Sequence, residues 1–176
     1  LIMLIKYKKK TPKIKKNVFL APGSKIIGNV RINSKSSVWF NTVIRGDVEK
    51  ITIGFNTNIQ DLTMIHGTTD GYGTEIGSNV TIGHNCVIHD CKIEDNSLVG
   101  MSSTILDGAI LKKGSMLAAD SLLTGGKIIK SGELWAGKPA KFLRTLSQKE
   151  KKFLKESADR YYNLSQEYLA NLNKNN

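Results

Sequence analysis

The sequence has few cysteines, few aromatic residues and no long apolar run. Its two cysteines, Cys86 and Cys91, are too few for the disulfide framework of a small secreted domain, so a reducing cytoplasm is the expected compartment. No apolar run approaches the ~18 residues that a membrane-spanning helix needs. The apolar residues at the start precede the basic ones, the opposite order to a secretory signal. The sequence therefore predicts no membrane partner and no signal peptide.

Acidic residues are also scarce, with 15 Asp and Glu against 26 Lys and Arg. Seven of the basic residues lie in the stretch 6–16, and most of the others are scattered lysines. A nucleic-acid surface would need arginines and aromatic residues on one face, and aromatics make up only 7% of the chain. We therefore expect no nucleic-acid partner, while a general attraction for small anions is reasonable. An apolar fraction of 40% predicts a folded core.

The chain contains an internal repeat of six residues. From residue 76, aliphatic or aromatic residues open successive blocks at 82, 88, 93, 99, 105, 111, 117, 123, 129 and 135. An amphipathic helix would repeat at 3.6 residues and a strand at two. Each block is interpreted as a short strand and a turn, with the aliphatic residue inside and Gly, Asn or Asp at the turn. Three blocks close one triangular turn, and turns stack at about 4.8 Å.

The repeat predicts an all-β parallel β-helix followed by one α-helix. The expected boundaries are a basic N-terminal segment at 1–17, the β-helix at 18–138, a connector at 139–146 and the C-terminal helix at 147–173. The helix prediction depends on a 4-3-4 spacing of Leu154, Ala158, Tyr161 and Ser165 that continues to residue 172. Ser147 and Glu150 match a capping box at its start.

The three histidines, His66, His84 and His89, all lie within 24 residues. Neutral imidazoles are good ligands for zinc, cobalt, nickel and iron. The loop at 68–75 either bulges out of the prism or takes the place of one repeat block. If it bulges out, Ile65 lies on one face of the prism, face A, Ile76 on the next, face B, and Ile82 on the third, face C. His66 and His89 then lie on face A, one turn apart, close enough to share a metal. If the loop does consume a block, His66 instead stacks below His84.

In the first register His84 lies on face C and could complete the site only from a neighbouring chain. A threefold trimer of prisms allows this three times over. The same register places Arg45 one turn below His66, and Gln60 and Asp61 one turn below His84. Asp61 is a candidate hydrogen-bond acceptor behind a ligating imidazole. Arg45 and Asp47 are expected to form an ion pair, either across subunits or within a local turn.

At this point the sequence resembles the γ-class carbonic anhydrases, a family of hexapeptide-repeat proteins with a left-handed β-helix. The residues that carry the resemblance are IRGD (44–47), IGFNTNIQD (53–61), IHG (65–67), IGHNCVIH (82–89), VGMSSTILDGA (99–109) and WAGKPAK (135–141). The resemblance implies a homotrimer with Zn²⁺, or Fe²⁺ or Co²⁺, between subunits, held by His66, His89 and His84 of the next chain. It implies reversible hydration of CO2 to bicarbonate by metal-bound hydroxide, with CO2 and bicarbonate as small-molecule substrates.

The resemblance also implies roles for other residues. Gln60 would contact the substrate, and Arg45 and Asp47 would support the site at the interface. Family members carry a glutamate directly after the Arg-x-Asp motif, where this chain has Val48 followed by Glu49, and a longer acidic loop after the first ligand. Glu49 and Tyr161 are therefore the candidate proton carriers, and the resemblance to a bacterial subgroup implies weak activity. Two alternatives stay open: a CoA-dependent acyl- or acetyltransferase with one histidine as base, and a non-catalytic metal-stabilised trimer.

Overall fold

The computed structural model describes residues 2–174, apart from the side chains at 173 and 174. Leu1, the first residue of the predicted N-terminal segment, lies outside the described residues. The described chain forms a left-handed parallel β-helix of about seven turns with a single C-terminal helix, which confirms the predicted fold class. The strands inside the prism pair in parallel with those one turn below and one turn above on the same face, while the last strand is antiparallel.

Three faces make up the prism, and two long strands, β4 and β6, turn the corner between the first two. Face A contains β1 (Met3–Ile5), β4 (Lys25–Ile32), β6 (Val43–Ile53), β8 (Met64–His66), β11 (Val87–His89), β14 (Thr104–Ile105) and β17 (Leu122–Leu123). Face B contains β2 (Lys13–Ile14), the second halves of β4 and β6, β9 (Thr74–Ile76), β12 (Lys92–Ile93), β15 (Ile110–Leu111) and β18 (Ile128–Ile129).

Face C is the third side and carries the last, antiparallel strand. It contains β3 (Phe19–Leu20), β5 (Ser37–Val38), β7 (Asn58–Ile59), β10 (Thr81–Ile82), β13 (Leu98–Val99), β16 (Met116–Leu117), β19 (Glu133–Gly137) and β20 (Ala140–Thr145). The helix α1 (Gln148–Lys174) lies against β3, β5, β7 and β10 of this face. Among the described residues, α1 offers no stretch long and apolar enough to cross a bilayer.

The core is a column of stacked aliphatic side chains. On face B, Ile53 pairs in register with Ile76, and Ile76 pairs with Ile93. The residues predicted to point inward are all at most 1% exposed: Ile53, Ile76, Ile82, Ile88, Ile93, Val99 and Ile105. Burying an aliphatic side chain of this size contributes about 1.5–3 kcal/mol. The six-residue repeat therefore marks the side chains that enter the core, as the sequence predicts.

The corners between faces use residues that tolerate a positive φ. Asn79 (φ 55°) and Asn96 (φ 56°) occupy equivalent corners one turn apart, and the Asn96 backbone N–H donates to the Ser78 carbonyl. Gly114 (φ 67°) takes the same place on the next turn, where its N–H donates to Asp95. Short polar residues and glycine visit this region at the lowest cost, so the corner composition follows from the backbone path.

Both ends of the prism add strands to its sheets. The stretch 2–17 contributes β1 and β2, since Ile5 pairs with Ile27 and Ile14 pairs with Ile32 and packs against the core. The stretch 139–146 contains β20, which reverses direction after Gly137 and pairs antiparallel with β19. This pairing satisfies the backbone groups at one edge of the last parallel strand. Both ends therefore extend the sheets that the repeat begins.

The start of α1 has the capping box that the sequence indicates. The Ser147 backbone N–H donates to a carboxylate oxygen of Glu150 at 2.8 Å, and the Glu150 N–H donates to Ser147 Oγ at 3.3 Å. Two backbone donors of the first turn are thereby satisfied. Further along, Tyr161 and Tyr168 contact the buried Trp39 edge to face, at 5.5 and 5.3 Å between ring centroids. The helix is thus fixed to face C by aromatic packing.

Candidate metal centre

His66 and His89 lie side by side on face A, on adjacent turns. The two residues pair in register between β8 and β11, which confirms that the loop after His66 consumes no repeat. The imidazole Nδ1 atom of His66 lies 3.3 Å from the Nε2 atom of His89. Two nitrogens bound at about 2.0–2.1 Å to one tetrahedral zinc are about 3.3–3.4 Å apart. The observed separation therefore fits two ligands of one metal ion.

A carboxylate contacts the far side of each of these imidazoles. The Nε2 atom of His66 lies 2.9 Å from Asp47 Oδ1, and the Nδ1 atom of His89 lies 2.6 Å from Asp107 Oδ1. An ionised carboxylate only accepts hydrogen bonds, so in the neutral imidazoles these nitrogens carry the protons. The unprotonated nitrogens, Nδ1 of His66 and Nε2 of His89, then face each other. Two converging lone pairs are the arrangement that a cation would stabilise.

His84 lies at the corner between faces C and A, away from that pair, as the sequence register predicts. Its Nδ1 atom lies 2.7 Å from Asp61 Oδ2, so its Nε2 atom is the nitrogen available to a metal. The His84 side chain is 43% exposed. Within residues 2–174 of one chain, no group of three or more His, Cys, Asp and Glu side chains is arranged to hold a metal ion. Among the described residues of one chain, face A therefore brings two imidazoles together rather than three.

Arg45 and Asp47 form an ion pair within one chain. The second oxygen of Asp47 is the one that contacts His66, so this carboxylate joins the guanidinium to the imidazole. Partial burial favours the neutral acid, yet the hydrogen bonds from Arg45 and His66 hold the pKa of Asp47 below its ordinary value. Asp47 is therefore ionised and orients His66.

Asp107 is the residue that the sequence interpretation missed. Thr68 donates a hydrogen bond to its second oxygen, and this bond, together with that from His89, lowers the pKa of Asp107. Ile88 pairs with Ile105, so the register that aligns His66 with His89 also brings Asp107 to the same end of face A. That register was the signal that could have identified it.

Hydrogen bonds attach the loop after His66 to Asp90 on the turn above it. The backbone amides of Tyr72 and Gly73 donate to the carboxylate of Asp90 at 3.2 and 2.8 Å. The Thr74 hydroxyl donates to the His66 carbonyl at 2.7 Å. These bonds hold the loop out of the strand register, so Thr74 resumes face B directly.

Gln60 and Tyr161 lie on face C, with His84 rather than with His66. Gln60 is 4% exposed, and its Nε2 atom donates to Asn58 Oδ1 at 3.1 Å. Tyr161 packs on Trp39, and burial together with the charge of Asp61 raises the pKa of its phenol. Glu49, the other candidate proton carrier, lies near Gly67: its Cβ is 3.5 Å from the position that a Cβ on Gly67 would occupy.

The two cysteines do not belong to the site. Cys86 and Cys91 are 1% and 3% exposed within the aliphatic core, and both are free thiols. Burial raises the pKa of Cys86 to about 11 and that of Cys91 further still. They are therefore packing residues, as their positions in the repeat indicate.

The fold and the paired imidazoles define a hexapeptide-repeat β-helix protein with a candidate metal centre on face A. A probable carbonic anhydrase from Methanocaldococcus jannaschii is 49% identical over 153 residues, which cover 87% of this chain and 96% of that protein. The mitochondrial Gamma carbonic anhydrase 2 of Arabidopsis thaliana is 46% identical over 162 residues, 89% of this chain. The chain belongs to the γ-carbonic anhydrase family.

The structural comparison supports the hexapeptide-repeat fold. A hexapeptide transferase family protein from Anaplasma phagocytophilum superposes with a TM-score of 0.91 at 49% identity, covering 94% of this chain and 98% of that one. The chain spans only 58% of the length of the Arabidopsis relative. No protein-family model matches the chain.

Proposed function

We propose that the protein is a γ-type carbonic anhydrase that reversibly hydrates CO2 at a metal ion shared between subunits of a homotrimer. The observation that carries the proposal is the 3.3 Å approach of His66 Nδ1 and His89 Nε2, each supported by a carboxylate on its other nitrogen. His84 of the partner subunit would supply the third ligand through its Nε2 atom. Zinc is the proposed ion, with ferrous iron or cobalt as alternatives of similar ligand preference.

The outer surface of face A supports the proposed assembly. Val43 pairs with Met64 and Met64 pairs with Val87, so apolar side chains form an outward ladder beside the histidine pair. Val87 is 41% exposed, and Leu62, near the His84 corner, is 61% exposed. Contact between these two apolar surfaces would remove both from water and bring the two parts of the ligand set together.

Each carboxylate in the site would hold one imidazole in its ligating tautomer. Asp47 does this for His66, Asp107 for His89, and Asp61 for His84 of the partner subunit. A bound divalent metal would supply the ability to ionise water near neutral pH and to polarise the substrate. The Oε1 atom of Gln60 would accept a hydrogen bond from water or bicarbonate, and it would come from the same subunit as His84.

The proton released by the reaction needs an acceptor. The raised pKa of Tyr161 makes it a poor base near neutral pH, so it would act as a hydrogen-bond donor on the His84 side of the site. Glu49, close to Gly67, is the proposed acceptor. Directly after Asp47 the chain has Val48, which is 40% exposed and cannot accept a proton. Glu49 would therefore be the single acid that takes up the released proton. Slow proton release would then limit hydration.

Stopped-flow CO2 hydration tests the proposal. The zinc- or cobalt-loaded protein should accelerate hydration above the buffer rate, a chelator should abolish the effect, and added metal should restore it. His66→Ala should lower both metal content and rate, whereas Lys127→Ala, at an exposed position on a later turn, should lower neither. A metal-loaded trimer that hydrates CO2 no faster than buffer would contradict the enzymatic proposal and favour a metal-stabilised scaffold.

A second candidate is CoA-dependent acyl transfer, favoured by the Anaplasma neighbour, which is described as a hexapeptide transferase family protein. That chemistry needs one histidine as general base, and it gives no reason for three carboxylate-supported imidazoles. Calorimetric titration with CoA and acetyl-CoA separates the two candidates. Saturable binding of CoA by a protein that holds no metal would support acyl transfer.

A further inference from the structure

The first turn of the prism carries a concentration of positive charge that the proposed reaction does not yet use. The stretch 2–16 contains seven lysines and no acidic residue. The seven, all exposed, are Lys6, Lys8, Lys9, Lys10, Lys13, Lys15 and Lys16. In the part of the chain that the structure describes, the ion pairs between acidic and basic side chains involve none of them. Their charge is therefore directed to solvent.

Three of these lysines lie on one tight turn, residues 7–10, which we call the lysine turn. Two backbone hydrogen bonds close it: the Tyr7 N–H donates to Lys10 O at 2.9 Å, and the Lys10 N–H donates to Tyr7 O at 3.0 Å. Lys8 has a φ of 49° and places its Nζ atom 5.5 Å from the centroid of the Tyr7 ring. The turn thus has a defined shape.

The lysine turn lines a cavity together with Asp47. The cavity has a volume of about 420 Å³, and its other lining residues are Asn29, Gly46 and Val48. Asp47 is the residue that contacts His66. An anion that enters between the lysines would therefore arrive next to the hydrogen-bond network of the candidate ligands.

The one acid of this cavity does not cancel the lysine charge. One oxygen of Asp47 contacts Arg45 and the other contacts His66, so its negative charge is balanced within the network. Charges on one side of a cleft attract small ions of opposite sign and raise their rate of arrival by about 10- to 1,000-fold. The Debye length at 0.1 M salt is about 10 Å, so such a field extends across a cavity of this size.

We propose that the lysine turn is an oxyanion subsite that receives bicarbonate beside the metal centre. The inference rests on the proposed function, because bicarbonate is the anion of that reaction. Inorganic phosphate is also an oxyanion and is the alternative ligand for the same subsite. The cavity is much larger than either ion, so binding is weak, saturable only at high concentration, and reduced by salt.

Amide chemical shifts of the metal-free trimer test the subsite directly. Bicarbonate, phosphate and chloride are titrated separately at matched ionic strength and pH. Bicarbonate should produce saturable shifts at the amides of residues 8–10 and 46. The shifts should disappear in the triple variant Lys8→Gln, Lys9→Gln, Lys10→Gln. They should persist in the matched control Lys141→Gln, Lys149→Gln, Lys155→Gln, which removes the same charge from exposed positions on β20 and α1.

Each outcome of the titration has one meaning. Shifts with bicarbonate, alone or together with phosphate, support the subsite. Equal shifts with chloride show a counterion atmosphere and overturn it, and shifts with phosphate alone overturn the link to the reaction. Melting curves of both variants confirm that they are folded.

Kinetics on the metal-loaded protein separate this inference from the proposed function. At low salt the lysine-turn variant should dehydrate bicarbonate about three- to tenfold less efficiently than the control, and the difference should vanish near 0.5 M salt. If the protein hydrates CO2 and the two variants have the same salt dependence, the subsite inference fails and the proposed function stands. If amide shifts occur without any hydration, the proposed function fails.

Discussion

Asp107 Oδ1 lies 2.6 Å from His89 Nδ1, on a turn of the prism above that of the histidine. The same carboxylate accepts a hydrogen bond from Thr68, in the loop that follows His66. One residue therefore links both candidate ligands of face A: it contacts His89 directly and fixes the loop next to His66. This relationship leads to the first prediction.

Replacing Asp107 with asparagine should weaken metal binding without unfolding the protein. The substitution removes the charge that stabilises the protonated Nδ1 of His89, and losing such a support lowers metal affinity by about 10- to 100-fold. Competition with a chromogenic chelator measures the affinity. Asp70→Asn is the control, because Asp70 is exposed in the loop after His66, and this variant should bind metal as the unchanged protein does. Equal affinities for the two variants would show that Asp107 does not support the ligand.

Ile88→Ala should destabilise the prism by about 2–5 kcal/mol, because it removes a fully buried side chain and leaves a cavity. Denaturant unfolding at one fixed protein concentration measures the free energy. The matched variant Ile128→Ala changes a residue that is 47% exposed and should cost far less. Similar losses at the two positions would contradict the inward assignment of the repeat.

The thiols of Cys86 and Cys91 should not react with a disulfide reagent in the folded protein at pH 8. Burial keeps both in the neutral thiol form, with the pKa of Cys86 raised to about 11, and the thiolate is the reactive species. Both should react after denaturation. Ser131→Cys, at an exposed position, provides the control thiol that reacts in the folded state. Fast labelling of the native chain would show that the core opens readily.

The contribution of Glu150 to stability should depend on pH. Arg144 and the Ser147 cap lower the pKa of Glu150 in the folded protein. A carboxyl with a depressed folded pKa stabilises the fold above its unfolded pKa, near 4.5, and loses that contribution as the pH falls towards the folded pKa. Glu150→Gln should therefore lower the melting temperature at pH 7, and the difference from the unchanged protein should shrink in acid. A constant difference between pH 7 and pH 2.5 would contradict the assigned ion pair.

Mixing two inactive variants tests whether the site is shared between chains. His84→Ala and His89→Ala should each bind little metal when pure. In exchanged trimers, His66 and His89 of one variant can meet His84 of the other, so the mixture should regain part of its metal content. Metal analysis after subunit exchange gives the result, with His66→Ala plus His89→Ala as a control. That mixture should gain nothing, because no chain in it has the complete face A pair. A site built from one chain could not be restored by either mixture.

The sequence by itself determined the architecture and most of the candidate ligand set. A period of six with one aliphatic residue per block specifies which side chain enters the core, and stacking of identical turns then sets the strand register. The sequence left two registers open for the loop at 68–75. In the register that the structure confirms, His66 meets His89 and Asp61 lies under His84, because residues one turn apart must be neighbours. The capping box was equally local, since its partners are three residues apart.

Only the tertiary structure decided the contacts that depend on side-chain direction and on loops outside the repeat. Thr68 reaches Asp107 because Asp90 binds the loop amides and sets its path, and no period encodes that path. The lysine turn likewise shares a cavity with Asp47 because β1 and β2 pair with β4 and complete the first turn of the prism. The aliphatic residues of this stretch are too sparse for the six-residue repeat to be recognised in the sequence. The six-residue repeat predicts which side chains are buried, whereas the hydrogen bonds at the corners depend on the path by which each loop leaves the sheet.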